Sequence, residues 1–261
     1  MRNLEAAALV SDDWASFVGL TAAAGPAVWD RPTRLAGWRV EELARHVHWG
    51  MTMEAHALEL AARSTAGSAP AEGGRRAGAV ARAEGVHLTV PREEILPALA
   101  AARIRLVTAL KAAPDEAGVV VPMPYGDLAL PVARQVFVME AAVHRSDLAH
   151  AVGADDRLSP GTHTVTAAVL EGLWGVIAAA ATSTPPPGTG YLLRGRTVRV
   201  AVEFDGTAWT SPARAPAVVV RGDDDAVLLA ALGRLPLMDP GLTLEGDRAL
   251  GLRLKEFFPG P

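Results

Sequence analysis

The chain has no cysteine among its 261 residues. That excludes disulfides, thiolate metal ligands and a cysteine nucleophile, so any sulfur chemistry must use a thiol brought from outside. Lysine is nearly absent as well, with only Lys111 and Lys255, and arginine supplies the remaining cations. Such usage reflects a GC-rich genome rather than a function. A net charge of -4 gives no electrostatic reason to expect nucleic acid or an anionic membrane as partner. Long uninterrupted apolar runs are also lacking. Ser11, Asp12 and Asp13 cut short any signal-peptide core near the start, and Glu171 interrupts the alanine-rich segment 164–183. The expectation is a globular, cytoplasmic protein, long enough for one large domain or two smaller ones.

What is present divides the chain in two. Helical periodicity runs through the first two thirds: residues 3–24, ending at Gly25-Pro26; 40–64, with Glu41 and Glu42 in the first turn; 92–113, with Pro97 near its start; 131–153; and 161–183. Residues 66–78 form a loop of small residues, and 119–131 are extended or turn-like. Four or five helices with one long connection predict a helical bundle over 1–183. The stretch 182–190, with three consecutive prolines and two glycines, predicts a linker. Beyond it, 197–204 alternates as a strand, Asp205-Gly206 signals a hairpin turn, and 207–211 returns. A strand at 217–222, a short helix at 224–235, a strand at 242–247 and a closing helix at 248–258 complete a small α+β domain over 190–261.

One helix raises a chemical question. Glu140 and His144 interrupt its apolar run four residues apart, and Asp147 follows three later. Positions i, i+4 and i+7 share one side of a helix. A carboxylate–imidazole pair at this spacing can chelate a divalent ion, although on spacing alone such a pair is more often surface chemistry than a site. A catalytic zinc site needs three protein ligands and an open position; without cysteine, the third must be another histidine or an acid. His46 borders the apolar stripe of Val40, Leu43 and Val47 on the second helix. His48 lies about 200° round from it, so the two cannot share an ion from one helix. His48, His56, His87, His150 and His163 read as structural or surface residues.

The combination of spaced residues resembles a known family. Trp29, Pro32, Gly37, Trp38, Val40, Leu43 and His46 are similar to the N-terminal signature of the mycothiol-dependent maleylpyruvate isomerase family, within the DinB-like helical bundles. Glu140, His144, Asp147, Leu148, Ala149, Ala151 and Gly153 resemble its second signature, and residues 124–130 the Gly-centred turn before it. The segments Val220-Arg221-Gly222, Gly233-Arg234 and Leu244 to Asp247 resemble its sterol-carrier-like second domain. Two positions depart from the pattern: Ser146, where tryptophan is frequent, and Arg39, where a Ser or Thr helix cap is frequent.

The resemblance implies a metal, zinc or another divalent ion, on His46, Glu140 and His144, and mycothiol as thiol cosubstrate. It implies a thiolate that adds to an activated double bond of a small electrophilic metabolite, then departs in isomerisation or stays attached in S-transfer. Asp147 would orient an imidazole through a hydrogen bond, the alternative being an exposed ion pair with Arg145 or a neighbouring arginine. Arg221 and Arg234 would reach an anionic substrate or cofactor carboxylate. Trp29, Trp38 and Trp49 would pack the core or wall a pocket. Two other readings remain open at this point: a metal-dependent hydrolase or lyase that activates water, and a non-catalytic small-molecule-binding protein on the same scaffold.

Overall fold

The computed structural model describes residues 1–63, 90–114, 118–123 and 126–259. The expected loop at 66–78, His87 and the Pro124-Tyr125 part of the turn lie outside the described residues. The described chain forms two compact units, Met1–Arg157 and Leu158–Pro261.

The first unit is a helical bundle. Helix α1 (Asn3–Ala24) is followed by a 3-10 turn at Pro26–Asp30, then α2 (Val40–Arg63), a 3-10 turn at Arg92–Glu94, α3 (Ile95–Ala112) and α4 (Leu130–Val152). Helix α1 packs against α3 and α4, and α2 packs against the same two, which closes a four-helix ring. A two-stranded antiparallel hairpin, β1 (Val120–Met123) with β2 (Gly126–Ala129), leads into α4. Pro97 sits in the first turn of α3, where no intrahelical donor is required of it, so it starts the helix without interrupting it. Helix α4 has Pro131 in its first turn and stops at Gly153, whose φ of 75° is left-handed and whose N–H reaches the carbonyls of Ala149 and His150.

Helix α4 is the centre of this unit. Nearly every residue from Val136 to Ala149 is buried, so it touches neighbours all round rather than along one stripe. Polar residues there have no solvent to turn to and must find partners inside the protein.

The second unit holds α5 (His163–Ala178), β3 (Thr189–Arg194), β4 (Arg199–Phe204), β5 (Trp209–Thr210), β6 (Val218–Arg221), α6 (Asp224–Ala231), β7 (Thr243–Gly246), α7 (Arg248–Leu252) and α8 (Leu254–Phe257). The sheet order is β5-β4-β3-β6-β7, with β3 and β6 parallel and the other pairs antiparallel. Three features differ from the sequence expectation. Helix α5 packs on β4, β5 and α6 and belongs to the second unit, which therefore begins at Leu158 rather than after the prolines. The reason is apolar: Trp174 of α5 stacks on Phe258 at 3.8 Å between ring centroids and meets Trp209 edge-on. The central strand β3 was not anticipated at all, because Thr189, Gly190, Tyr191 and Leu193 are all buried and leave no alternation to read. The closing helix breaks at Arg253 into α7 and α8.

Candidate metal centre

Two helices of the bundle bring three donors together. His46, in the second turn of α2, and Glu140 and His144 of α4 each offer a ligand atom, and these atoms all lie within 4.8 Å of one another. The imidazole rings of His46 and His144 are 5.0 Å apart, centroid to centroid, and nearly perpendicular. Trp38 meets the His46 ring edge-on at 5.0 Å, and Trp49 lies on its other flank at 6.1 Å. Trp14 of α1 stacks against His144. Trp38 and Trp49 thus border the cluster, while Trp29 is buried in the 3-10 turn after α1.

His144 is held from both ring nitrogens. It is only 5% exposed. Its Nδ1 lies 3.2 Å from Asp147 Oδ2 and its Nε2 lies 3.2 Å from Glu140 Oε2. Burial disfavours the imidazolium, yet the hydrogen bonds and charges of Asp147 and Glu140 outweigh it and raise the pKa of His144. In the metal-free protein the ring is therefore pushed toward holding two protons, and the one on Nε2 is the proton a cation would displace. The donor set fits a divalent metal: one imidazole from α2, an imidazole and a carboxylate from one face of α4, and a further carboxylate behind the buried imidazole.

Asp147 pairs with Arg34, an arginine from a distant loop. It is fully buried, and its Oδ1 accepts from Arg34 Nε at 2.8 Å. Arg145 instead donates to the carbonyls of Asp155 and Arg157 and faces Asp13. Ser146, the departure noted in the sequence, accepts from Arg34 Nη2 and donates to the carbonyl of Asp156. At the other departure, the N–H of Arg39 is satisfied by Glu42 Oε2 at 2.8 Å, so the carboxylate three residues on does part of a cap's work.

Glu54 adds a group that spacing had not singled out. It is 4% exposed, and its Oε2 has no hydrogen-bond partner. Burial, and then the charge of Glu140, push its pKa well above the usual carboxylate range. Its signal was in the sequence: Val40, Leu43, Val47, Met51, Glu54, Leu58 and Ala61 form one buried stripe, with a carboxyl in the fifth place. Arg34 carried no such signal, since it lies in a loop with no periodicity.

Arg221, at the end of β6, pairs with Glu245 through Nε at 2.8 Å, and Arg234 Nη1 donates to the carbonyl of Leu232. Both belong to the second unit. His150 pairs with Asp156 and His163 with Asp225, whereas His56 is exposed. Partial burial lowers the pKa of His48. A surface groove of about 470 Å3, lined by residues that include Thr21, Trp29 and Arg92, shares no residue with the cluster; its Arg92 is already engaged by Asp30 and Glu41. Among the described residues no helix is long and apolar enough to cross a membrane.

The model of the mycothiol maleylpyruvate isomerase N-terminal domain matches residues 10–149. Two crystal structures resemble the chain: the mycothiol-dependent maleylpyruvate isomerase and a histidine-to-alanine variant of it. Each is 16% identical, with a TM-score of 0.67, and the match covers 94% of this chain and 93% of the other. A search of curated protein sequences finds no significant match.

Proposed function

Because this chain belongs to the family of the mycothiol maleylpyruvate isomerase N-terminal domain, we propose that it is a zinc-dependent, mycothiol-using isomerase of a small electrophilic metabolite, with maleylpyruvate the first substrate to test. The observation that carries the reading is the convergence of His46, Glu140 and His144 from two helices, their ligand atoms within 4.8 Å. A dication held there supplies Lewis acidity and lowers the pKa of a thiol or water brought to it.

The chain's own residues do the rest. Asp147 keeps the Nδ1 proton of His144 in place, so that Nε2 faces Glu140 and His46. Two neutral imidazoles and one carboxylate leave a site with net positive charge, which suits an anionic sulfur. With no cysteine in the chain, that sulfur belongs to the cosubstrate. Trp38 and Trp49 flank His46 with apolar surface that favours the carbon skeleton of a small substrate and displaces water. Arg221 and Arg234 are proposed as contacts for carboxylates of the substrate or thiol.

Turnover of maleylpyruvate by the zinc-loaded protein, with and without mycothiol, tests this reading. His46→Ala and Glu140→Ala are expected to lose bound zinc and at least about 100-fold in turnover together. Full zinc and full turnover in His46→Ala would overturn the site assignment. Undiminished activity in thiol-free buffer would replace thiol chemistry with activation of water.

A further inference from the structure

We propose that Arg34 is a positioning residue of the metal centre, holding Asp147 and, through it, His144, while tying the two ligand-bearing helices together. The inference rests on the metal-site reading above.

Arg34 lies in a loop that is closed on itself. Pro32 and Arg39 form a β-bridge, and the N–H of Thr33 donates to the carbonyl of Trp38 at 2.9 Å. The N–H of Trp38 returns to Leu35, and that of Val40 to Arg31. Gly37 turns the loop with φ of 79°, a left-handed conformation that a side chain would strain. The loop is thus a short, hydrogen-bonded platform fused to the first residue of α2. It is not a free connection.

From that platform the guanidinium reaches α4, and its side chain is only 9% exposed. Nε donates to Asp147 Oδ1 at 2.8 Å, Nη2 donates to Ser146 Oγ at 2.5 Å, and Nη1 lies 3.6 Å from Asp156 Oδ2. A planar fork held at three points has little freedom to rotate. Asp147 therefore has both oxygens committed, Oδ1 to Arg34 and Oδ2 to His144 Nδ1. Remove the guanidinium, and a fully buried carboxylate loses its countercharge. Such a group turns toward another donor and no longer holds the Nδ1–H of His144 in place.

The same side chain also sets a distance. The platform continues directly into α2, which bears His46 six residues from its start. Asp147 and Ser146 lie on α4, within one to two turns of His144 and Glu140. One residue thereby fixes the register of α2 against α4 at the cluster.

The test uses Arg34→Ala, Arg34→Lys, Asp147→Asn and the double variant Arg34→Ala/Asp147→Asn in the full chain. Two quantities are read: zinc affinity by competition with a chromophoric chelator, and the 15N shifts of the His144 ring in metal-free protein at alkaline pH. Arg34→Ala is expected to weaken zinc binding about 10- to 100-fold, the range for loss of a partner that orients a ligand. It is also expected to move His144 away from the pure Nδ1–H form. Arg34→Lys, which keeps the charge without the fork, recovers only part of both. The double variant loses little beyond the worse single variant, because the two residues act in series. A folded Arg34→Ala protein with wild-type ring shifts and zinc affinity within two-fold would overturn the inference. Should that variant not fold, Arg34→Gln reads the same two quantities. A wild-type chain that binds no zinc would defeat the metal-site reading, whereas the ring shifts of Arg34→Ala still decide whether Arg34 positions His144.

Discussion

The two units bury different chemistry. Among the described residues, every buried aspartate, glutamate, arginine or histidine lies in the first unit: Asp13, Glu54, Arg134, His144, Arg145 and Asp147. Among its described polar side chains the second unit buries Thr162, Thr166, Thr189 and Tyr191, whose hydroxyl donates to the carbonyl of Leu250, within a core of valines, leucines and aromatic rings. Its charged residues pair near the surface, as Arg221 does with Glu245 and His163 with Asp225. Sequestering a charge costs several kcal/mol unless a partner meets it, so a fold that does so repeatedly in one helix bundle and hardly at all in its sheet is concentrating cost where chemistry needs it. The first unit trades core stability for a site; the second is built as an ordinary core.

The largest effect that would break this contrast is in the second unit. Trp174 is buried between Phe258 and Trp209. Trp174→Ala is expected to lower the stability of that unit by about 3–5 kcal/mol, the range for deleting a large buried aromatic side chain. Zinc affinity, measured below the variant's melting transition, is expected to stay within two-fold of wild type. A parallel loss of zinc would show that the site depends on the second unit's core as much as on its own helices.

Glu54 tests the other side of the contrast, with a smaller effect. Because its folded-state pKa is raised by burial and by Glu140, its contribution to stability is fully present below the ordinary carboxylate pKa and is lost as pH rises toward the raised value. Glu54→Gln removes the titration and keeps the shape. In metal-free protein the variant should match wild type near pH 4. It should then become relatively more stable as pH rises, by about 1–3 kcal/mol, the scale of an unsatisfied buried polar group. Urea unfolding at several pH values measures the difference. A constant offset across pH would mean that Glu54 is solvated or paired in the folded state.

How much of this was legible in the sequence follows from the same physics. Helix periodicity revealed α1 and α2 because each leaves one face to solvent, and the i,i+4 spacing of Glu140 and His144 marked them as a pair that the structure places beside His46. Helix α4 was readable as a helix from its Pro131 and Gly153 ends, although its middle is apolar all round. Strand β3 was not readable, since burial on both faces erases alternation, and the proline-rich stretch before it drew the boundary away from Leu158. Prolines mark where a helix cannot continue; they do not say which side of the break a helix packs on. Arg34 was illegible for a different reason. Its partners lie more than 110 residues away in sequence, and nothing in the loop's local pattern encodes a contact with Asp147 and Ser146.

The last test concerns a cation that the second unit takes partly out of water. Burial, with Arg234 nearby, lowers the pKa of Lys255 to about 7. Its Nζ donates to the carbonyl of Ala231 at 2.7 Å and lies 5.3 Å from the ring centre of Phe258. Between pH ~7 and the ordinary lysine range near 10.5, the unfolded chain binds more protons at this position than the folded one. Wild-type stability should therefore rise with pH across that window and lose this increment as pH falls back through about 7. Lys255→Met keeps the apolar stem and removes the titration, so the slope of unfolding free energy against pH, measured by urea titration between pH 7 and 10, should flatten. Equal slopes in the two proteins would mean that Lys255 stays charged and hydrated when folded. The difference between the second unit and the helix bundle would then be sharper still.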